Sequence, residues 1–182
     1  MGIWTKEGLL EAYVFESHID AERAGATKQR FADAPGVRFV GQFVGHFTLF
    51  GRVVAESLGQ LQERIEGDYW ESGIHSAWSL NLTASSAAAP KRGSPDFCAL
   101  VCARAGGDPF EIRDMLDDGF LREGEGAAVV NARDFDLLVD LGADSVDGLL
   151  ERVLALRDVS GIGRTATSFA DLADNAIRPS AS

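Results

Sequence analysis

Apolar residues recur along this chain at two spacings, and the alternation of the two runs through one cycle twice. Residues 10–15 form an apolar run of strand length, and Asp20 stands after it as the N-cap of a helix with an inner stripe of Ala24, Thr27 and Phe31. Ala34-Pro35-Gly36 stops that helix. Runs at 37–44 and 46–55 meet so closely around Gly45 that they predict a hairpin. Ser57 opens a second helix with Leu58, Leu61 and Ile65 on one face. Ile74, Ser76, Trp78, Leu80 and Leu82 then alternate as a closing strand.

The second cycle is sharper. Residues 97–103 are its first strand. Asp108-Pro109-Phe110-Glu111 is a strong helix start, because aspartate caps, proline suits the first helical position and a glutamate three residues on can close a capping box. Residues 127–132 and 135–141 predict a hairpin around Arg133-Asp134. Ser145 begins a helix with Val146, Leu149, Leu150, Val153 and Leu156 on one side, and residues 162–170 close the unit.

Laying residues 10–83 on 98–171 without a gap pairs eleven identical residues, among them Phe47 with Phe135, Ser57 with Ser145 and Arg64 with Arg152. Together with the shared pattern this predicts a duplication. Each copy has the order strand, helix, strand, strand, helix, strand, the ferredoxin-like split, in which two helices cover one face of four antiparallel strands. The other face needs a cover, and the second copy is the obvious one. The expected fold class is therefore α+β, two ferredoxin-like βαββαβ repeats packed as a pseudo-dimeric α+β barrel. The expected division is residues 1–83 for the first repeat, 84–95 for a small-residue Pro/Gly linker, 96–172 for the second repeat and 173–182 for a flexible tail.

Charge narrows the partners. Of a net charge of −11, residues 1–83 carry −4 and residues 96–172 carry −9, with Lys91 and Arg92 between them. Nucleic-acid binding draws its affinity from cationic groups on phosphates, so a chain this acidic without a basic stripe argues against direct nucleic-acid contact. No stretch approaches the length of a transmembrane span and the N-terminus lacks a signal-peptide plan, which predicts a cytoplasmic protein without a membrane partner. Cys98 and Cys102, four residues apart on a strand, would lie about 13 Å apart, too far for a disulfide, and read as reduced buried thiols.

Residues 132–167 of the second copy resemble the effector-binding domain of the Lrp/AsnC family: a hairpin of the form Gly-x-aromatic-Asp, a helix, and a Gly-Val-x-x-Thr-x-Thr-like last strand. The hairpin pattern is divided between the copies. The first keeps the glycine in Gly45-His46-Phe47-Thr48, and the second keeps the aspartate in Arg133-Asp134-Phe135-Asp136. Only the second copy has the threonine pair, Thr165 and Thr167, where the first has Ala77 and Ser79. The resemblance implies a tandem, stand-alone effector-binding or regulatory module without its own DNA-binding domain, self-associating or acting through a partner regulator. Arg133, Asp134, Asp136, Thr165 and Thr167, with His46 and Thr48 in the first copy, are its expected ligand residues: arginine for a carboxylate, aspartate for an ammonium group, threonines for hydrogen bonds. Turn chemistry and strand propensity account for the same residue types without a ligand.

Two other readings stay open. The two-copy barrel is shared with small monooxygenases and haem-using enzymes, which makes an enzyme acting on a hydrophobic substrate the alternative; a structural interaction protein with an apolar-filled interior is the third. An enzyme needs a convergent acid, base or metal. His18, His46 and His75 show no metal-ligand spacing and no Ser/His/Asp arrangement emerges, so neither a catalytic residue, a metal site nor a cofactor is expected. Strand alternation places Phe135, Leu137, Val139 and Leu141 toward helices, and Asp134, Asp136, Leu138 and Asp140 toward the interior. The equivalent row in the first copy holds His46, Thr48, Phe50 and Arg52, which suggests that Arg52 and Asp140 help to hold the copies together; solvated edge charges are the plainer reading.

Overall fold

The computed structural model describes residues 8–17, 21–68, 76–83 and 97–170. The Asp20 cap, His18, His75, the linker and the tail lie outside them. In the first half, β1 (Leu10–Glu16) is followed by α1 (Ala21–Asp33), β2 (Val37–Gly45), β3 (Leu49–Ala55), α2 (Leu58–Glu63) and β4 (Ser76–Leu80). A π-helical turn, Arg64–Asp68, extends α2. The second half repeats the order as β5 (Phe97–Ala105), α3 (Pro109–Gly119), β6 (Gly126–Val129), β7 (Leu137–Ala143), α4 (Val146–Arg157) and β8 (Ile162–Ala170).

Helix starts follow the local chemistry. The Ser57 and Ser145 hydroxyls accept hydrogen bonds from the Gln60 and Gly148 N–H groups, matched caps on α2 and α4. Asp108 caps α3 by accepting from the Phe110 N–H at 2.9 Å, with Pro109 in the first turn. On α4 the apolar stripe divides: Leu149, Val153 and Leu156 are buried, while Val146 and Leu150 are exposed with Leu154.

All eight strands join one sheet in the order β4-β1-β3-β2-β8-β5-β7-β6. Its outer strands then meet: Asn81 bridges Val130, the Leu82 N–H donates to the Val129 carbonyl at 2.8 Å, and the Asn131 N–H donates to the Leu80 carbonyl at 3.1 Å. The sheet is thus a barrel with two seams. At the other seam β2 pairs with β8 over Phe43–Gly45, and the Phe47 N–H donates to the Ser168 hydroxyl at 3.1 Å. Gly45 has φ +140°, and a Cβ there would lie 2.5 Å from the Thr167 carbonyl oxygen, so only glycine lets the two halves approach here.

Alternation sorts the side chains into three cores. Leu10, Ala12, Val14, Val53 and Ala55 pack outward with Phe31, Leu61 and Ile65 from α1, α2 and the turn that follows α2. Ala99, Val101, Ala103, Leu137, Val139 and Leu141 do the same with Ile112, Leu116, Leu149, Val153 and Leu156. The third core fills the barrel with Tyr13, Phe15, Phe39, Phe43, Phe47 and Phe50 from the first half and Leu100, Cys102, Ala128, Val130 and Leu138 from the second. The phenylalanine rings meet edge-on or tilted at 5.4–6.1 Å between centroids, as in Phe15 on Phe47 and Phe43 on Phe50, while Tyr13 stacks on Phe50 at 5.5 Å.

Three expectations need correction. The copies do not superimpose without a gap: Tyr13 stands opposite Arg52 as Leu100 stands opposite Asp140, so β1 maps onto β5 by 87 residues and β3 onto β7 by 88, while Ala12 with Leu80 against Ala99 with Phe169 gives 89 for β4 and β8. The second hairpin is wider than a turn at Arg133-Asp134: the Val130 N–H still donates to the Asp136 carbonyl at 2.8 Å, but the Asn131 N–H turns to the Leu80 carbonyl, and the regular ladder with β7 runs only from Val129 with Leu137. Phe135 therefore precedes the regular alternation and points into the barrel, edge-on to Phe15 at 5.4 Å.

Phe50 touches Tyr13, Phe15, Phe39, Phe43 and Phe47 and is fully buried. Phe50→Ala is expected to cost about 3–5 kcal/mol, read as a lower urea midpoint at unchanged slope.

Candidate functional site

The polar groups of the barrel interior gather toward one end. Within the half-barrel of β1 and β3, Glu11 and Arg52 form an ion pair of 3.2 Å with the carboxylate almost wholly buried. Asn81 completes the cluster. Its Nδ2 donates to Glu11 Oε1 at 3.0 Å and to the Tyr13 hydroxyl at 3.1 Å, while its Oδ1 accepts from the Thr83 N–H at 2.9 Å and the Thr83 hydroxyl at 2.7 Å. A buried charge survives only with such partners, and this one has them.

The matching positions in the second half hold different chemistry. Asp140 stands where Arg52 stands, opposite Leu100 on one side and Gly126 on the other. Cys98 takes the place of Glu11, opposite Gly142. Because β3 and β7 lie four strands apart in a ring of eight, Arg52 and Asp140 face the lumen from opposite sides at one level. They do not pair: Arg52 is held by Glu11 of its own half, so the expected tie between the copies is not made.

Asp140 is governed by burial and then by the nearby Glu125 carboxylate, which together push its pKa up to about 7, and no cation among the described residues pairs with it. Burial, followed by Asp140 and Glu125, pushes the Cys98 thiol up to about 11, and burial pushes Cys102 up to about 12. Both cysteines are free thiols. The lumen thus carries one carboxyl that exchanges its proton near neutrality, set beside two glycines where the first half has the bulkier Phe39 and Val54.

The seven residues expected to bind an effector fall on the rims and the outer face. Arg133 and Asp134 are exposed in the loop before β7. The Asp136 carboxylate accepts from the Ala105 N–H at 3.0 Å and pairs with Arg104 at 3.4 Å. Thr165 and Thr167 stand opposite Ala103 and Val101, on the face that packs against helices rather than the lumen. Thr165 accepts from Arg157 Nε at 3.1 Å, and the Thr167 hydroxyl is buried without a hydrogen-bond partner. His46 is exposed at the seam, where its N–H reaches the Thr167 carbonyl at 3.4 Å, and the Thr48 N–H donates to the Glu16 carbonyl at 2.7 Å. The structure joins the His46 loop to Thr167 through backbone atoms; it does not gather the seven side chains around one volume.

Asp140 was visible from strand alternation. Glu11, Tyr13 and Asn81 were not singled out, although a lone glutamate inside the apolar run 10–15 signals a buried partner. Among the described residues no group of three or more metal-ligating side chains occurs, and no helix is long and apolar enough to cross a membrane.

No family model matches the chain, nor does any curated protein sequence. Solved structures do match its fold. The siroheme decarboxylase NirDL, solved in complex with an iron-uroporphyrin III analogue, is similar over 90% of this chain and 72% of its own, with a TM-score of 0.64 at 9% identity. A candidate monooxygenase from Fusobacterium nucleatum subsp. nucleatum is similar over 89% of this chain and 90% of its own, with a TM-score of 0.51 at 11% identity. The chain has the ferredoxin-like α+β barrel fold of these proteins.

A carboxyl that is protonated in the folded chain up to about pH 7 but ionised in the unfolded chain above about pH 4 makes stability fall as pH rises through that interval and level off above it. Asp140→Asn is expected to remove this slope, so that the variant gains on the order of a few kcal/mol over the wild type at pH 8 and little at pH 4. Urea unfolding at the two pH values measures the difference.

Proposed function

We propose that this chain is a small α+β barrel enzyme that moves a proton on a small hydrophobic molecule held at the polar end of the lumen, with Asp140 as the general acid or base. The observation that carries this reading is the Asp140 carboxyl, buried at the lumen wall beside Gly126 and Gly142 with its pKa raised to about 7 by burial and Glu125. General acid–base groups work best when their pKa lies near the operating pH. A carboxyl of this kind is what an enzyme reading requires, and it favours that reading over an effector-binding module, whose expected side chains are spread over the rims and the outer face. Arg52, Glu11 and Asn81 then act from the opposite wall, presenting fixed dipoles and a charge pair to the polar part of the substrate, while the aromatic rings supply the apolar bed.

The iron-porphyrin complex of the siroheme decarboxylase raises the question of a haem. The described lumen residues do not fit one. They include no histidine, the Cys98 and Cys102 thiols are pushed away from the thiolate that would ligate iron, and the rings of Phe15, Phe43, Phe47 and Phe50 occupy the barrel centre. The chemistry assigned to the site is therefore that of its own carboxyl.

A turnover screen over small aromatic and alicyclic compounds with an acidic C–H or O–H tests this. The expected result is an activity whose kcat/KM depends on a group of pKa near 7 and which drops by about 10²–10⁴ in Asp140→Asn. An activity that Asp140→Asn leaves intact overturns the assignment.

A further inference from the structure

Arg64 and Arg152 are one of the identical pairs of the repeat, each seven residues beyond a serine N-cap, and their surroundings differ. In the second half the Arg152 guanidinium meets the Glu125 carboxylate, donates to the Phe120 carbonyl at 3.0 Å and lies 4.3 Å from the centroid of the Phe120 ring. Glu125 follows Gly124, a residue of φ +92°. In the first half the matching glycine is Gly36, φ +82°, and Val37 follows it. No carboxylate pairs with Arg64 among the described residues. Its Nη1 donates to the Val54 carbonyl at 2.6 Å, and among the described residues the remaining guanidinium N–H groups have no hydrogen-bond acceptor.

A cleft of about 340 Å³ opens at this place. Arg64 and Arg38 supply its cationic side, Val37, Val54 and Ala55 its apolar wall, and Gln60 and Glu56 its polar edge. Gly36 keeps it open: a Cβ there would lie 2.3 Å from Arg64 Nη1 and 2.5 Å from the Val54 carbonyl oxygen.

We propose that this cleft binds a small organic monocarboxylate, whose carboxylate takes on Arg64 the place that Glu125 takes on Arg152. An arginine fork matches a planar carboxylate in two parallel hydrogen bonds, which favours that anion over a tetrahedral one. Glu56 on the same rim repels a second negative charge, and the valine wall accepts a short apolar tail. The site is separate from the lumen carboxyl and does not depend on the function proposed for it.

Titration of the full chain with sodium butyrate and sodium benzoate, followed by amide NMR and by thermal shift, tests the assignment, with butanamide, benzamide and inorganic phosphate as controls. The expected result is saturable binding of the carboxylates with shifts centred on Gly36 and Val54. Val37→Glu supplies the missing internal anion and should weaken binding by about ten- to a hundredfold, while Val37→Gln, of equal bulk, stays within about threefold of the wild type. If the Val37→Glu chain does not fold, Arg64→Gln carries the test, with the same loss expected. Undiminished binding in Val37→Glu, equal loss in both Val37 variants, preference for phosphate or the amides, or no saturable carboxylate binding overturns the proposal.

Discussion

A sheet that carries helices on one face only must hide the other, and this chain does so by curling its eight strands until the outermost two meet. Everything inside follows from that closure. Eight strands leave a lumen wide enough for side chains, so each strand contributes one row outward to the helices and one row inward. The inward rows are unequal: the first half sends mostly rings, and the second sends mostly leucine, alanine, valine and thiol with the ring of Phe135 at one end, so that large side chains fit against small. Two copies of the first half's row would set ring against ring where the second half now supplies smaller side chains. The divergence of the copies is thus part of the packing and not only the residue of drift.

The same divergence sets the chemistry. At matching points on β3 and β7 the halves place an arginine and an aspartate, and at matching points on β1 and β5 a glutamate and a cysteine. The first half satisfies itself by pairing Glu11 with Arg52, which leaves Asp140 without a countercharge among the described residues and its pKa raised to about 7. On the outside the assignment is reversed. The second half neutralises its helix arginine with Glu125, and the first half leaves Arg64 facing a cleft. Each half is complete where the other is open.

Much of this was legible in the residues. Caps at Ser57, Asp108 and Ser145, the inward turn of Leu138 and Asp140, and the need of a one-sided sheet for a second cover all follow from local chemistry and period-two alternation. What the sequence hid was register. A gapless overlay of the copies is shifted by one residue in opposite senses at the first and last strands, because the eye is held by the long stretch from Phe47 to Arg64 where the overlay is true. The reach of Asn81 to Glu11 and Tyr13 spans 70 and 68 residues, and no local pattern announces a contact at such a distance. Thr165 and Thr167 form a motif in the sequence, yet pairing with Ala103 and Val101 turns both toward the helices.

The two seams of the barrel are not alike. One is clasped by three ladder positions, a glycine that admits close approach and the Ser168 hydroxyl on the Phe47 amide. The other, among the described residues, is the bridge of Asn81 with Val130, made by the Leu82 and Asn131 amides. A ring fastened this unevenly joins its halves by fewer described backbone pairings beside the Tyr13, Glu11 and Asn81 cluster than beside Gly45, so the buried polar network at Asn81 shares in holding the lighter clasp shut.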